Sequence, residues 1–273
     1  MDAGKNPISH LSDLGTVLFF CVLVIVGWPF SIRRSSLAVR DLQASVIIPV
    51  RDESSNVGPI CEAFARLLNT NPSVSEVIFV DDHSRDATRD QIELCSTNFS
   101  FVKSVIQNDQ RGKGAAIKSG FQKARCDVLV MMDGDQQYSP LEIPRLLEPI
   151  LTGSADLVVG RGSNQHSSVI RWALSKSFQT IFTWMFRLPV SSPNEGFKAI
   201  VKAKFEELGV IADGFDFDIE LLVKAKRHLL RITEVPVARR ERFAGKSKVD
   251  VFPTVARFCS RMARLWFSQR KSH

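Results

Sequence analysis

VLVMMDGDQQ, residues 128–137, is an apolar run followed at once by two carboxylates and two amides. Such a run is typical of a strand that is buried on both faces of a parallel sheet. Asp133 and Asp135 are separated only by Gly134, so no bulky side chain stands between the carboxylates, and they suit Mg²⁺ or Mn²⁺ shared with phosphate oxygens. The Gln137 amide oxygen is a candidate third ligand. Because Asp-Gly-Asp is also a common turn sequence, a plain turn is the alternative.

The same arrangement occurs twice more in the first half of the chain. SVII at 45–48 runs into Pro49, and EVIFV at 76–80 runs into Asp81 and Asp82. Segments 56–68, 115–124 and 141–151 carry apolar residues at helical spacing between or after these strands. Strands that alternate with helices predict a mostly parallel sheet, in which ligands bind at the carboxyl ends of the strands. We therefore expect the acidic residues to meet at one edge of the sheet.

Composition limits the class of protein. The 273 residues are 44% hydrophobic and 24% charged, which suits one large domain or a domain with additions. The net charge of +7 could serve a nucleic acid, an anionic membrane or a phosphorylated substrate. We expect no nucleic-acid partner, because the chain lacks zinc-finger spacing and RNA-binding motifs. The five cysteines are scattered and never paired as CxxC, so we expect them to be reduced.

The amino-terminal region predicts a membrane anchor. Residues 14–32 contain no charged side chain, which is just long enough for a helix to cross a bilayer. Arg33, Arg34 and Arg40 follow, so the positive-inside rule places the globular part on the cytosolic side of a single-pass protein. A cleaved signal peptide and a core or interfacial helix are the alternatives. The predicted division is an anchor at 1–40, a catalytic domain at 41–250 and a basic amphipathic helix at 251–273.

Two further segments combine Trp and Phe with basic residues. They lie at 169–188 and at 251–266. Basic amphipathic helices of this kind suit the headgroup layer of a membrane. Helices packed on the catalytic core with their arginines in solvent are the equal alternative for each.

Eight motifs follow one another in the chain: SVIIPVRDE (45–53), FVDDHSRDAT (79–88), RGKGAAIKSGF (111–121), VLVMMDGDQQYSPLEIPRL (128–146), NEGFKAI (194–200), FDFDIELL (215–222), ITEVPV (232–237) and RFAGKSK (242–248). In this order they resemble the family 2 glycosyltransferases, and within them the polyprenyl-phosphate sugar transferases, which include the dolichyl-phosphate mannosyl- and glucosyltransferases. The resemblance covers residues 44 to 250 approximately. It implies a GT-A fold, a Rossmann-like nucleotide-diphospho-sugar transferase, with a nucleotide-sugar donor and a divalent metal, Mg²⁺ or Mn²⁺.

The resemblance also implies roles for residues of this chain. The donor-binding positions are Pro49, Glu53, Asp81, Asp82, Asp133, Gly134, Asp135, Gln137, Arg242 and Lys248. The acceptor phosphate would face Arg171 and Ser175, with Arg161 as a further candidate, and the metal would be held by Asp133, Asp135 and Gln137. Asp135, Arg171 and Arg242 would have the catalytic roles.

Three departures from the family pattern concern substrate choice. Ser192 replaces the usual Asp four residues before the Gly-Phe pair, and Arg161 is displaced by one position from the usual Gly-x-Arg. Arg51 and Asp52 replace the common aromatic residue and Asn beside the nucleoside. The identity of the sugar and its nucleotide is therefore not determined by these motifs.

The resemblance thus implies an inverting, metal-dependent transfer of a hexose from a nucleotide sugar, of the GDP-mannose or UDP-glucose type, to a polyprenyl phosphate. The departing diphosphate carries developing charge, which a metal with Arg and Lys can neutralise without proton transfer. A different lipid or glycan acceptor is one alternative, and a catalytically silent membrane-bound member of the fold is another. Gly112-Lys113-Gly114 is not a P-loop, because Gln107 stands where the first glycine should be. Asp218 is a candidate for a role near the sugar or an ordinary structural carboxylate.

Overall fold

The computed structural model describes residues 42–107, 112–162, 179–180 and 182–240. In chain order the elements are β1 Ala44–Val50, α1 Ser54–Leu68, β2 Val74–Asp81, α2 Thr88–Asn98, β3 Val102–Ile106, α3 Lys113–Lys123, β4 Val128–Met131, a 3-10 turn Pro140–Glu142, α4 Ile143–Leu151, β5 Leu157–Gly162, β6 Lys198–Val201, α5 Lys202–Leu208, α6 Phe217–Arg227 and β7 Ile232–Val237. Residues 182–186 are also helical. The three strands and three helices predicted from the first half of the sequence are all present.

The strands form one sheet with the order β3-β2-β1-β4-β6-β5-β7. β1 pairs in parallel with both β2 and β4, and β2 pairs in parallel with β3. β6 runs antiparallel to β4 and β5, whereas β5 and β7 are parallel. The sheet is therefore mostly parallel, as predicted. The chain proceeds from β1 to one side and later returns to its other side, so a crevice opens beyond the carboxyl ends of β1 and β4.

Side chains of the central strands alternate between two apolar layers. Ile48 and Phe79 lie in the layer that contains α1, α2 and α4. Ile47 and Ile78 lie in the opposite layer, with α3 and α6. All four side chains are completely buried. Burial on both faces explains why these strands have continuous apolar sequences instead of alternating ones.

The described part of segment 169–188 contributes to the second layer. Phe182, Phe186 and Leu188 are buried there, whereas Trp184 is 80% exposed. Among the described residues, no helix is both long enough and apolar enough to cross a membrane. The predicted anchor at 14–32 and the predicted helix at 251–266 lie outside the described residues, so both stay predictions, as do the domain boundaries.

The three cysteines in the described part of the chain are free thiols. Cys61 and Cys95 are buried and Cys126 is partly buried. Burial and the neighbouring Cys95 raise the pKa of the Cys61 thiol, so it is protonated at neutral pH. These thiols therefore behave as small apolar side chains of the core.

Two helical glycines provide a matched test of packing. A Cβ at Gly120 would lie 2.5 Å from Cγ2 of the buried Ile47, whereas a Cβ at Gly58 would meet no atom of the described residues within 4 Å. We expect Gly120→Ala to lower the free energy of unfolding by about 1–3 kcal/mol through overpacking. Gly58→Ala should raise it by about 0.5–1 kcal/mol, because alanine favours the helix. Urea denaturation measures both values, and equal effects of the two substitutions would contradict the packing of α3 on β1.

Candidate active site

The acidic residues at the strand ends meet at one edge of the sheet, as the sequence predicts. The register aligns Val50 of β1 with Asp81 of β2. The Asp82 N–H continues this pairing by donating to the Val50 carbonyl at 2.9 Å, and the Met132 N–H donates to the Ile47 carbonyl at 3.1 Å. Asp82 and Asp133 therefore follow directly on strands that flank β1. This edge is the crevice where open α/β sheets bind ligands.

Asp82 is held at the amino-terminal end of α3. Its two carboxylate oxygens accept from the Gly112 N–H at 3.1 and 3.2 Å. Gly112 has a φ of 112°, and a Cβ there would lie 2.5 Å from the Asp213 carbonyl oxygen. Only glycine fits this position. The contact fixes Asp82 in the crevice, where the resemblance places a contact with the nucleoside.

Asp81 is fully buried and has both carboxylate oxygens engaged. One accepts from the Ser84 N–H at 3.0 Å, and the other receives Nη2 of Arg89 at 3.1 Å. These contacts hold the loop that follows β2. A donor-binding role for Asp81 stays a prediction, and the contacts in the structure give it a role in shaping the loop.

Glu53 joins three parts of the crevice. Its carboxylate accepts from the Asn56 side chain, and its N–H donates to Oγ1 of Thr88 at 2.8 Å. Asn56 in turn accepts from Nε2 of Gln136 at 2.8 Å. The start of α1, the loop after β2 and the loop after β4 are therefore connected by hydrogen bonds. This network orients Glu53, a predicted donor-binding residue in the loop after β1. Pro49, the other predicted residue here, lies within β1 itself.

The loop after β4 places its two carboxylates in different environments. The Asp133 side chain is 36% exposed, whereas Asp135 as a residue is 7% exposed and accepts from the Gln137 N–H at 3.1 Å. A Cβ at Gly134 would lie 2.7 Å from Cγ1 of Val50. Glycine is therefore required at 134 for the loop to pack against β1.

Gly196 lies directly against the Asp133 carboxylate. A Cβ at residue 196 would be 2.0 Å from Oδ2 and 2.6 Å from Oδ1 of Asp133. The backbone of the NEGFKAI motif thus forms one wall of the site. This explains on steric grounds why a glycine occupies that position in the motif.

A chain of alternating charges leads from Asp133 into the protein. Nζ of Lys113 lies 2.9 Å from Oδ1 of Asp133 and 3.2 Å from Oδ2 of Asp218. Nζ of Lys198 lies 2.6 Å from Oδ1 of Asp218 and also donates to the Glu195 carbonyl oxygen. Lys198 is completely buried and Asp218 is 3% exposed. A buried charge is tolerated only when it is paired in this way.

The pKa values of Lys113 and Lys198 are shifted in opposite directions. Burial by itself would lower the pKa of Lys113, but Asp133 and Asp218 outweigh it and raise the pKa above its ordinary value. Burial dominates at Lys198 and lowers the pKa of that ammonium, although Asp218 opposes the shift. Lys113 is therefore a permanent cation of the site at neutral pH.

A second network holds the other end of the loop after β4. Oε1 of Gln137 accepts from Nη2 of Arg239 at 3.0 Å. Glu195 accepts from the Tyr138 hydroxyl at 2.5 Å and from Nη1 of Arg239 at 3.4 Å. Burial and the Glu195 carboxylate raise the pKa of Tyr138, so its hydroxyl stays protonated and donates. The Gln137 amide oxygen thus binds an arginine, and its role as a metal ligand stays a prediction.

The donor atoms fit a divalent cation that is shared with a substrate. The described part of the chain contains no group of three or more His, Cys, Asp or Glu side chains arranged to hold a metal. Asp133 and Asp135 can supply two hard oxygen ligands, and diphosphate oxygens and water can complete the coordination shell. This division of ligands is typical of Mg²⁺ bound together with substrate phosphates.

Sequence reasoning missed the lysines and the arginine of these networks. Lys198 was detectable in principle, because a lysine inside the apolar run FKAIV requires a buried partner. Asp218, considered for a role near the sugar, is that partner. Lys113 belongs to the RGKGAAIKSGF motif, but neither that motif nor the rejected P-loop gave it a role. Arg239 stands outside the eight motifs.

Four predicted residues lie outside the described part of the chain: Arg171, Ser175, Arg242 and Lys248. Arg161 is described, and it is exposed near the carboxyl end of β5. Ser192 donates its N–H to Oε1 of Glu234 at 2.9 Å. The acceptor side of the site therefore stays a prediction.

The sequence model of glycosyl transferase family 2 matches residues 45–209, which include every strand from β1 to β6 and the loop after β4. The chain belongs to this family. The resemblance drawn from the eight motifs is thereby confirmed, and this family 2 glycosyltransferase is an enzyme that transfers a sugar.

Several similar proteins act on lipid-linked phosphates, according to their names. A dolichol-phosphate mannosyltransferase of Mycosarcoma maydis is 31% identical over 216 residues, which are 76% of this chain and 73% of the relative. One from Pyrococcus furiosus is 32% identical over 216 residues, or 76% of this chain and 59% of the relative. An undecaprenyl-phosphate mannosyltransferase of Micrococcus luteus is 28% identical over 223 residues, which are 77% of this chain and 88% of the relative.

Solved structures confirm the GT-A-like architecture of this glycosyltransferase. The crystal structure of glucosyl-3-phosphoglycerate synthase from Mycobacterium tuberculosis, in complex with Mn²⁺, uridine-diphosphate and phosphoglyceric acid, superimposes with a TM-score of 0.67. The two proteins are 20% identical, and the match covers 82% of this chain and 78% of the other. The likeness shows a common fold.

Gly196→Ala tests the wall behind Asp133. The new methyl group would force the carboxylate aside, and because the carboxylate is the end of a flexible side chain, the fold should survive. We expect sugar transfer to fall about 100-fold, as for a reacting group displaced by roughly 1 Å. Steady-state transfer rates and urea denaturation measure the two effects, with Gly58→Ala as the control. Unchanged transfer by Gly196→Ala would show that the position of Asp133 does not matter.

Proposed function

We propose that this family 2 glycosyltransferase moves a hexose, with inversion, from a nucleotide sugar of the GDP-mannose or UDP-glucose type to a polyprenyl phosphate. The observation that carries the proposal is the pair Asp133 and Asp135 in the loop after β4, with Gly196 against the Asp133 carboxylate. Asp82 follows β2, on the other side of β1. Such a crevice suits a nucleoside diphosphate, with the nucleoside toward β1 and β2 and the diphosphate toward β4.

Asp133 and Asp135 would hold Mg²⁺ or Mn²⁺, which neutralises the charge that develops on the leaving diphosphate. Asp82 and Glu53 would bind and orient the nucleoside, as their fixed positions in the hydrogen-bonded loops allow. The predicted roles of Arg242 and Lys248 over the diphosphate add positive charge that need not transfer a proton. The carboxylates thus position the donor, and the basic residues stabilise its departing group.

The acceptor is proposed from the names of the similar proteins and from chemistry. Three of those relatives are named for mannosyl transfer to dolichol phosphate or undecaprenyl phosphate. A phosphate monoester is ionised at neutral pH, so its oxygen can attack the anomeric carbon without a strong general base. It does require cations to position it, and arginine matches phosphate oxygens in pairs. Arg171, Ser175 and Arg161 are proposed for that role.

A lipid acceptor would require the enzyme to work at a membrane. We propose that residues 14–32 anchor it there with the catalytic domain on the cytosolic side. The exposed Trp184 would suit the interfacial region of a bilayer. Fractionation of the intact protein between membranes and supernatant tests the proposal, and recovery in the supernatant alone would contradict it.

The decisive assay identifies donor and acceptor together. The intact protein is incubated with Mn²⁺, a polyprenyl phosphate and, in separate reactions, labelled GDP-mannose, UDP-glucose or UDP-GlcNAc, and is then extracted with organic solvent. We expect the label to enter the organic phase with one of the two hexose donors. Label that stays in water with every donor would contradict the polyprenyl phosphate acceptor. Diacylglycerol in place of the polyprenyl phosphate is the control for another lipid acceptor.

Asp135→Ala tests the proposed metal ligand. Loss of a carboxylate that binds the ion should lower transfer at least about 100-fold, because charge on the leaving diphosphate is then poorly neutralised. Asp90→Ala on the exposed surface of α2 is the matched control and should transfer at the normal rate. Near-normal turnover by Asp135→Ala would remove this residue from the metal site.

A further inference from the structure

Lys113 stands in an electrostatically unfavourable place for a lysine. It is the first residue of α3, where the helix dipole presents its positive end. Its side chain is 11% exposed, so water solvates the ammonium poorly. The carboxylates of Asp133 and Asp218 compensate for both effects. A lysine at this position therefore does not stabilise its own helix. Its contact with Asp133 links it instead to the proposed metal site.

Asp218 gives the Lys113 ammonium a second partner that is independent of Asp133. Oδ2 of Asp218 lies 3.2 Å from Lys113, while Oδ1 is held by Lys198 at 2.6 Å. Asp218 is buried and fixed on both sides. The Lys113 ammonium can therefore lose Asp133 without becoming an unpaired buried charge.

We propose that Lys113 is a positioning residue whose ammonium neutralises Asp133 in place of the divalent cation, and that it yields Asp133 to the cation when metal and nucleotide bind. The inference rests on the proposed function, because Asp133 must be a metal ligand. The Lys113 ammonium lies 2.9 Å from Oδ1 of Asp133. A metal ion bound to the same oxygen, at about 2.1 Å, would be close enough to the ammonium for the two cations to repel each other. Lys113 and the metal therefore compete for Asp133.

This competition has a consequence for the order of binding. Without nucleotide, the ammonium opposes the metal at Asp133 and weakens its binding. With nucleotide, the diphosphate adds negative charge and ligand oxygens to the site. The free energy of metal binding then outweighs the loss of the contact between the Lys113 ammonium and Asp133. The lysine would thus favour binding of the metal together with the sugar nucleotide over binding of the metal alone.

The test is a titration of the intact protein with Mn²⁺, in which free Mn²⁺ is followed by electron paramagnetic resonance. It is made without nucleotide and with UDP or GDP, for Lys113→Met, Asp218→Asn and the control Lys118→Met. Lys118 lies on the same helix but pairs with Asp213 at 2.6 Å. For Lys113→Met we expect the Kd for Mn²⁺ without nucleotide to fall roughly tenfold, because a competing cation is removed.

Asp218→Asn should act in the opposite direction. Without the second carboxylate the ammonium depends more on Asp133, so Mn²⁺ should bind more weakly than to the unaltered protein. Lys118→Met should leave the Kd unchanged. If Lys113 had only a structural role, the two substitutions would not shift the Kd for Mn²⁺ in opposite directions.

Two outcomes would overturn the inference in distinguishable ways. If the unaltered protein binds Mn²⁺ with UDP or GDP but Lys113→Met binds it no more tightly without nucleotide, the competition is wrong and the metal site stands. If neither protein binds Mn²⁺ with either nucleotide, the metal site itself is wrong and the inference fails with it. Should Lys113→Met fail to fold, a Kd for Asp218→Asn equal to that of the unaltered protein would also contradict the competition.

Discussion

The parallel pairing of β1 with both β2 and β4 is the constraint on which the site depends. It brings three strand ends to one edge, and each ends in residues with carboxylates. Burial of the strands on both faces makes that register rigid, since a slip would move apolar side chains into the wrong layer. The crevice is thus a product of the core. Its chemistry comes from the polar residues that immediately follow the strands.

Concentrated carboxylates need cations, and the protein supplies them from several elements. Lys113 comes from α3, Lys198 from β6 and Arg239 from the segment after β7. Lys113 contacts Asp133 and Arg239 contacts Gln137, at the two ends of the loop at 133–137. Lys198 holds Asp218, the second partner of Lys113. Arg239 also binds Glu195, next to the glycine that touches Asp133. Displacement of Lys113 or Arg239 would therefore be felt at this loop, because each contacts it directly.

Features encoded by residues close together in the sequence were predictable, whereas contacts between residues far apart in the sequence were not. Strands β1, β2 and β4 were predictable because their apolar runs are local, and the acidic ends follow them directly in the chain. The antiparallel β6 was not predicted, because its pairing with β4 joins residues that are far apart in the sequence. The hydrogen bond that the Gln137 oxygen accepts from Arg239, 102 residues away, could not be read from the sequence either. The role of Gln137 as a metal ligand stays a prediction.

The sequence by itself determined the family, the mostly parallel α/β architecture and the carboxylates at the strand ends, because each is expressed by residues close together in the chain. Only the tertiary structure decided which cation meets which carboxylate. Lys113 and Asp218 are separated by 105 residues and Lys198 and Asp218 by 20, and no local pattern encodes such a pairing. Packing of α3, β6 and α6 against one another brings these charges together, and burial then makes their pairing obligatory.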